Sequence, residues 1–465
     1  MTNEQFLIVD QETPVRLMAK RSAFYLQSEI IEACSEDNRI YYLFFYKEKY
    51  IAGYKASCLE NNSFVAESFK KGIVLQTPHP LINRLLSSQD SYQLTAEFAP
   101  LLKKLKKRYH PQEQAYILTF FESFISKQEL IDEIKSIFYV YRRNGQGFHG
   151  YRVIRVLRDF APDHSWVREI SGDSIFRDYA TQYKRETEEL LTKDPIFAEK
   201  VLYARKHENK SFKGLEAILE KESRWNDLVA LMIFRFVNNP TENLYLPLKK
   251  LLRQHFNESD YILSLESLSE QTPDYQPLQQ DLFDLYIKNQ QLKKAAMVMQ
   301  KNDFTPTENQ SGYFVDMLEQ SDLKASHIKV EQLSRPIQQI IKLHPENAEK
   351  VLHRLVVFML ETHEPSYIQK WLKPFQEGNG ELGLFSDIDR MERMSDDLDQ
   401  MGPLGKLYYK YGQLDKAIEC FSWEMELKPD DTEPLQWLSK LYQKVGKEAE
   451  AKAYRQLYVS MQKQA

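Results

Sequence analysis

From Pro80 onward, apolar residues recur at the three- and four-residue spacings of a helix with one buried face, and that periodicity never clearly stops. Leu130, Ile134 and Ile137 carry it, with Ser126 and Glu129 forming an S-x-x-E capping box just ahead of them. Further helices are predicted over residues 197–204, 225–236, 244–255, 282–288, 292–299 and 351–360. The first 75 residues have a different texture. Residues 6–9 are a short apolar run, 14–34 read as a helix, and 39–46 with 50–57 read as two strands joined by the polar turn Lys47, Glu48, Lys49. Tyr41, Tyr42, Phe44, Phe45, Tyr46, Tyr50 and Tyr54 make this hairpin heavily aromatic, as the core of a small sheet packed on that helix or as an aromatic recognition face.

Near the C-terminus the pattern repeats. Leu404, Tyr408 and Gly412 recur as Leu438, Tyr442 and Gly446, each pair 34 positions apart. The first copy reads Leu404, Gly405, Tyr408, Gly412, Ala417, Phe421 and Pro429, which in order and spacing resembles the landmark set of the tetratricopeptide repeat family. Leu404 and Tyr408 share one face of a first helix, Gly412 makes the turn, Ala417 lets a second helix approach closely and Phe421 fills the space between them. Pro429, followed by Asp430 and Asp431, stops the second helix. The second copy keeps Leu438, Tyr442, Gly446 and Ala451, puts Ser439 where the small glycine would stand, and has Arg455 at the aromatic position with Tyr454 one residue early. Such a degenerate last copy suits a capping repeat, whose outer face meets water. Farther upstream Leu282, Tyr286, Ala295 and Met299 sit at the same offsets, with Gln290 in place of the turn glycine.

The resemblance implies a mainly α protein, an α-solenoid of helical hairpins with a small N-terminal α/β domain. The expected organisation is an α+β domain at 1–75, a helical domain at 76–190, degenerate repeats at 191–376, a linker at 377–400 containing Gly378, Gly380, Gly383 and five aspartates, and two repeats with a C-terminal cap at 401–465. Composition agrees with helix. Fifteen glycines in 465 residues argue against glycine-rich phosphate loops, and 62 basic against 67 acidic residues give no overall bias toward nucleic acid. Cys34, Cys58 and Cys420 are odd in number and far apart, so neither a disulfide framework nor structural zinc is expected. The opening Met1-Thr2-Asn3-Glu4-Gln5 lacks a basic region, and the most apolar run, residues 228–234, ends at Arg235. A cytoplasmic protein without a membrane span is therefore expected.

Signatures of chemistry are sparse. Gly145, Gly147 and Gly150 spell GxGxxG, but a dinucleotide site needs a strand before the glycines and the preceding residues continue a helical pattern. Arg152, Arg155 and Arg158 fall on one helical face opposite Val153, Ile154 and Leu157. With Arg142, Arg143 and the upstream Lys103, Lys104, Lys106, Lys107 and Arg108 they offer a patch for phosphate, nucleic acid or an acidic protein. His79, His110 and His344 precede prolines as turn residues, and HExxH, GxSxG and GxxxxGK[ST] are missing. No catalytic residue, metal ligand, cofactor or small-molecule substrate is therefore assigned.

In tetratricopeptide repeats the first helix of each pair lines the concave surface. The corresponding positions here are Lys406, Tyr409 and Lys410, then Gln436, Lys440, Gln443 and Lys444, four lysines in seven with no acid. The resemblance thus implies a non-catalytic adaptor whose basic groove takes a protein or an acidic peptide, with Tyr409 as a flat apolar contact. Lys406 and Lys440 stand where the family's chaperone-binding members carry the central asparagine of a dicarboxylate clamp, which speaks against that partner. The alternative is a nucleic-acid-associated regulator using the arginines and the 103–108 cluster.

Overall fold

The computed structural model describes residues 5–10, 13–56, 59, 61–88, 92–95, 97–301, 304–320, 329–377 and 379–462. Met1 to Glu4, Ser57 of the expected strand, Cys58, Gly378 of the expected linker and the last three residues of the expected cap lie outside them. Mainly α is the right class: most of the described residues are helical, and one sheet lies near the N-terminus. The chain divides into two compact units, Met1–Thr272 and Pro273–Ala465.

The first unit is built around a sheet of β1 (Gln5–Asp10), β2 (Thr13–Tyr25), β3 (Ser28–Ser35), β4 (Ile40–Tyr46), β5 (Lys49–Ala56), β6 (Ile73–Gln76) and β7 (Tyr92–Gln93). The order is β5-β4-β3-β2-β1-β7, with β6 also paired to β2. Strand β2 is long enough to pair antiparallel with β1 along its first half and with β6 along its second. The sheet curls almost into a barrel. Just past β7, the Thr95 amide donates to the Gly53 carbonyl of β5 at 2.9 Å, and the Tyr50 hydroxyl donates to the Gln93 carbonyl at 2.6 Å.

Residues 14–34, expected as a helix, are the strands β2 and β3. The period-two alternation of β2 puts Leu17 and Ala19 inward while Arg16, Met18 and Lys20 face solvent. All eight positions of β3 are buried, so this central strand shows no alternation and mimics a buried helix in sequence. The β4–β5 hairpin turns at Lys47 and Glu48, both at positive φ (49° and 63°), the two-residue geometry that matches strand twist. Neither is glycine, and long-range bonds hold the turn instead: the Glu48 carboxylate accepts from the Asn226 amide at 2.8 Å and from Asn226 Nδ2 at 3.1 Å. The aromatic hairpin is a core, not a recognition face. Tyr41, Tyr42, Phe44, Phe45, Tyr46 and Tyr50 are buried, and Tyr54 stacks on Phe124 at 4.8 Å.

Among the described residues five helical hairpins share one turn: Lys127–Arg143 with Gly147–Phe160, Asn209–Lys221 with Trp225–Asn238, Gln276–Lys288 with Leu292–Lys301, Met401–Lys410 with Leu414–Leu427, and Glu433–Lys444 with Glu448–Gln462. Each has one positive-φ residue, at Gly145 (68°), Ser223 (56°), Gln290 (53°), Gly412 (71°) and Gly446 (81°). In each, the next amide donates back across the turn, Gln146 to Tyr141, Arg224 to Leu219, Gln291 to Tyr286, Gln413 to Tyr408 and Lys447 to Tyr442, at 2.8–2.9 Å. This is the 6→1 bond of a Schellman closure. Gly150, Leu228, Ala295, Ala417 and Ala451, five positions on, are all buried. Gly145 and Gly150 of the GxGxxG string therefore serve as turn and close-approach positions between two helices. A Cβ on Gly150 would stand 3.4 Å from the Phe138 ring, and the strand that a dinucleotide site requires is a helix here.

In the second unit helices follow one another from Gln276–Lys288 to Glu448–Gln462, packing mainly on near neighbours in sequence. Residues 377–400, expected as an irregular linker, contain the helix Gly383–Met394. Leu384, Ile388 and Met391 give it a buried stripe, and Asp387 is buried with it; glycines and aspartates masked that stripe in the sequence. In the C-terminal pair a Cβ on Gly405 would come within 2.9 Å of the Phe421 ring, so the small residue is needed where the two helices touch. Tyr442 and Tyr454 stack at 5.4 Å, which gives the last hairpin the inter-helix aromatic contact that Arg455 cannot supply.

Candidate partner-binding surface

The seven expected groove residues lie on Met401–Lys410 and Glu433–Lys444, the first helices of the last two hairpins. All are exposed except Tyr409, which is half-buried. The lysines are not equivalent. Lys406 Nζ pairs with Glu433 at 2.6 Å and Lys410 Nζ with the nearly buried Asp387 at 2.5 Å. Those two acids, outside the seven positions, lie against the surface and neutralise half of its lysines. Only Lys440 and Lys444 of the four have no carboxylate within 4 Å among the described residues. Their ammonium groups sit 4.7 and 4.6 Å from the Tyr409 ring, and Lys440 is also 4.5 Å from Trp437. Lys444 first, then Lys440, holds the Tyr409 phenol below its ordinary value.

Trp437 escaped the sequence reading. Its ring lies 5.2 Å from Tyr409 edge to face and 5.2 Å from Phe421 in parallel, joining the surface to the core of the preceding hairpin. A stripe at four- and three-residue steps, Glu433, Trp437, Lys440 and Lys444, was its available signal. Together Tyr409, Trp437, Lys440 and Lys444 form an aromatic platform edged by two uncompensated cations. That arrangement suits carboxylates next to an apolar side chain.

The second set of expected residues is dispersed. Arg142, Arg143 and Arg158 are exposed, whereas Arg152 and Arg155, half-buried, line a cavity of about 300 Å³ in the first unit. Lys106 is paired with Glu133 at 2.8 Å. Lys104 folds inward onto the Ile51 carbonyl and the Tyr50 ring, and burial, then Arg108, pushes its ammonium down to about 8. Lys104, Lys106, Arg152 and Arg155 are thus turned inward or paired, which removes four of the ten expected cations from a free surface. Periodicity placed Arg152 and Arg155 on a helix, but only the partners packed around them turned them into a cavity wall.

Among the described residues no cluster of three or more His, Cys, Asp or Glu side chains could hold a metal ion, and no helix is long and apolar enough to cross a membrane. No family model and no curated protein matches the chain. Among solved structures, one match is a chain of the Naa15/Naa10 complex bound to HypK-THB. It is 12% identical, with 78% of this chain and 60% of that chain covered, at a TM-score of 0.21, below the level at which a common fold is shown.

Proposed function

We propose that this protein is a non-catalytic adaptor of the tetratricopeptide type, working in the cytoplasm, that holds an acidic protein segment on the first-helix surface of its last two hairpins. The observation that carries the reading is the pair of lysines over Tyr409, one of them also over Trp437, with no carboxylate within 4 Å of either ammonium among the described residues. A carboxylate-bearing peptide with a neighbouring aromatic or aliphatic side chain would complete both halves of that surface. The 34-residue register of the two hairpins supports a repeat architecture, in which neighbouring units build an extended binding face. Cys34 and Cys420, both free and buried, agree with a reducing compartment. The nucleic-acid alternative is not carried forward, because Lys104 turns inward, Lys106 is paired with Glu133, and Arg152 and Arg155 face a cavity.

The test is co-purification from native extract at mild salt, with Lys440→Glu/Lys444→Glu beside the parent chain. A stoichiometric partner retained by the parent and lost by the double variant, with binding that weakens as salt rises, is expected. Failure to recover any stoichiometric partner, or equal recovery by both chains, would refute it.

A further inference from the structure

The cavity behind Arg152 and Arg155 is a site in its own right, in a different unit from the partner surface. Five cationic and four acidic side chains line it. Three of the acids pair with lysines: Glu67 with Lys71 at 2.7 Å, Glu122 with Lys127 at 3.3 Å, and Asp159 with Lys200 at 2.5 Å. These lysines are about half exposed and form the rim. The fourth acid, Asp194, is buried and already satisfied. It accepts from Tyr183 at 2.6 Å, Gln112 at 2.8 Å and the Phe197 amide at 3.3 Å, while Arg152 Nε stays 3.7 Å away. Arg155 is the cation left over. It has no carboxylate within 4 Å among the described residues, and its guanidinium is held 4.9 Å from the rings of both Tyr183 and Phe197.

Three buried polar groups of residues that line this space have no hydrogen-bond partner among the described residues: Nε of Arg152, Nε of Arg155 and the hydroxyl of Tyr116. All three can donate, and the two arginines stand one turn apart on the helix Gly147–Phe160, so they address the same region. Burying donors without acceptors is unfavourable, and an oxyanion would satisfy them together with the unmatched guanidinium charge. Phe64, Phe160 and Phe197 supply flat apolar wall beside them. The volume, about 300 Å³, is at the lower end of small-molecule sites.

We propose that this cavity binds a small organic anion, a carboxylate or phosphate monoester on a flat apolar group, with the oxyanion on Arg155 and Arg152 and the apolar part against the phenylalanines. Phosphate and carboxylate share this chemistry, because the guanidinium fork fits either.

Isothermal titration calorimetry of the full chain with phenyl phosphate, benzoate, inorganic phosphate and neutral benzyl alcohol tests it. Saturable binding of phenyl phosphate or benzoate is expected, and whichever binds tighter identifies the anion. Arg155→Gln should weaken it by about tenfold to a hundredfold, the range for a lost charge-assisted bond, and Arg155→Lys should restore part. No saturable binding of either aromatic anion at millimolar concentration would overturn the proposal, as would equal binding by Arg155→Gln or by benzyl alcohol. Inorganic phosphate binding as tightly as phenyl phosphate would also overturn it, leaving an adventitious ion only. Should circular dichroism show Arg155→Gln unfolded, the parent-chain comparison of aromatic anion with benzyl alcohol decides.

Discussion

Replacing Arg224 with methionine should cost the first unit about 3–5 kcal/mol, the range for stripping a buried charge network of its counterion. Arg224 opens the helix Trp225–Asn238 and is almost fully buried. Its Nη1 donates to Glu199 at 2.7 Å, Nε to Asp227 at 2.7 Å and Nη2 to the Leu26 carbonyl at 3.0 Å. Glu29, wholly buried, joins the same cluster. Burial first, then Asp227, drives its carboxyl well above the ordinary range, and Arg224 is the cation bonded to Glu199 and Asp227. With charge centres about 4 Å apart and an effective dielectric near 20, each attraction is about 4 kcal/mol, from which the relief of no longer burying the guanidinium must be subtracted. The loss should depend on pH with a definite sign. Burial already raises the Asp227 carboxyl and Arg224 opposes that, so in the variant its folded pKa rises further; the deficit is small below the unfolded value near 4 and grows as pH rises through the folded one. Urea denaturation at acidic and alkaline pH, with hydrogen exchange read separately over each unit, measures both parts. Adding Glu199→Gln and Asp227→Asn should recover much of the loss. A deficit below about 1 kcal/mol at alkaline pH, or one that does not change with pH, would refute the assignment of Arg224 as the counterion.

Ala417→Leu, at a fully buried close-approach position, should overpack the hairpin by about 1–3 kcal/mol and lower hydrogen-exchange protection from about residue 400 onward; unchanged protection there would sink the repeat assignment. Gln290→Gly should stabilise the second unit by about 0.5–1 kcal/mol and Gly412→Gln should destabilise it by a similar amount, since both positions require positive φ; urea midpoints moving in the opposite sense would show that the turns differ. Buried His79 accepts a bond from the Leu81 amide as a neutral ring, and burial lowers its pKa to about 4. Its contribution is complete above the unfolded value near 6.5 and is lost as pH falls toward the folded one, up to about 3 kcal/mol. His79→Asn keeps an acceptor without titrating, so its stability relative to the parent should rise between neutral pH and pH about 4 when urea curves are compared.

Local pattern alone determined much of this protein. The three-and-four spacing of apolar residues specified helices, the aromatic strands with a short polar turn specified the β4–β5 hairpin, and the 34-residue recurrence located the last two hairpins with their turn glycines. These features are readable because each depends on neighbours within a turn or two of chain. Strand β3 was not readable as a strand, since a segment buried on both faces loses the alternation that marks one, and β2 alternates only along its first half before its inner end is buried; pairing with β4, β1 and β6 decides between strand and helix. The helix Gly383–Met394 was hidden for a related reason: its apolar stripe is short, and its propensity is poor until flanking helices cover it. Charge was the least legible property. Sequence shows how many lysines and arginines lie on a helix face, but whether Lys410 meets Asp387, Lys440 meets an aromatic ring or Arg155 meets no carboxylate depends on which distant segment folds against it. Electrostatic partners are set by distance in space, and a one-dimensional pattern carries that distance only within a helix or a hairpin.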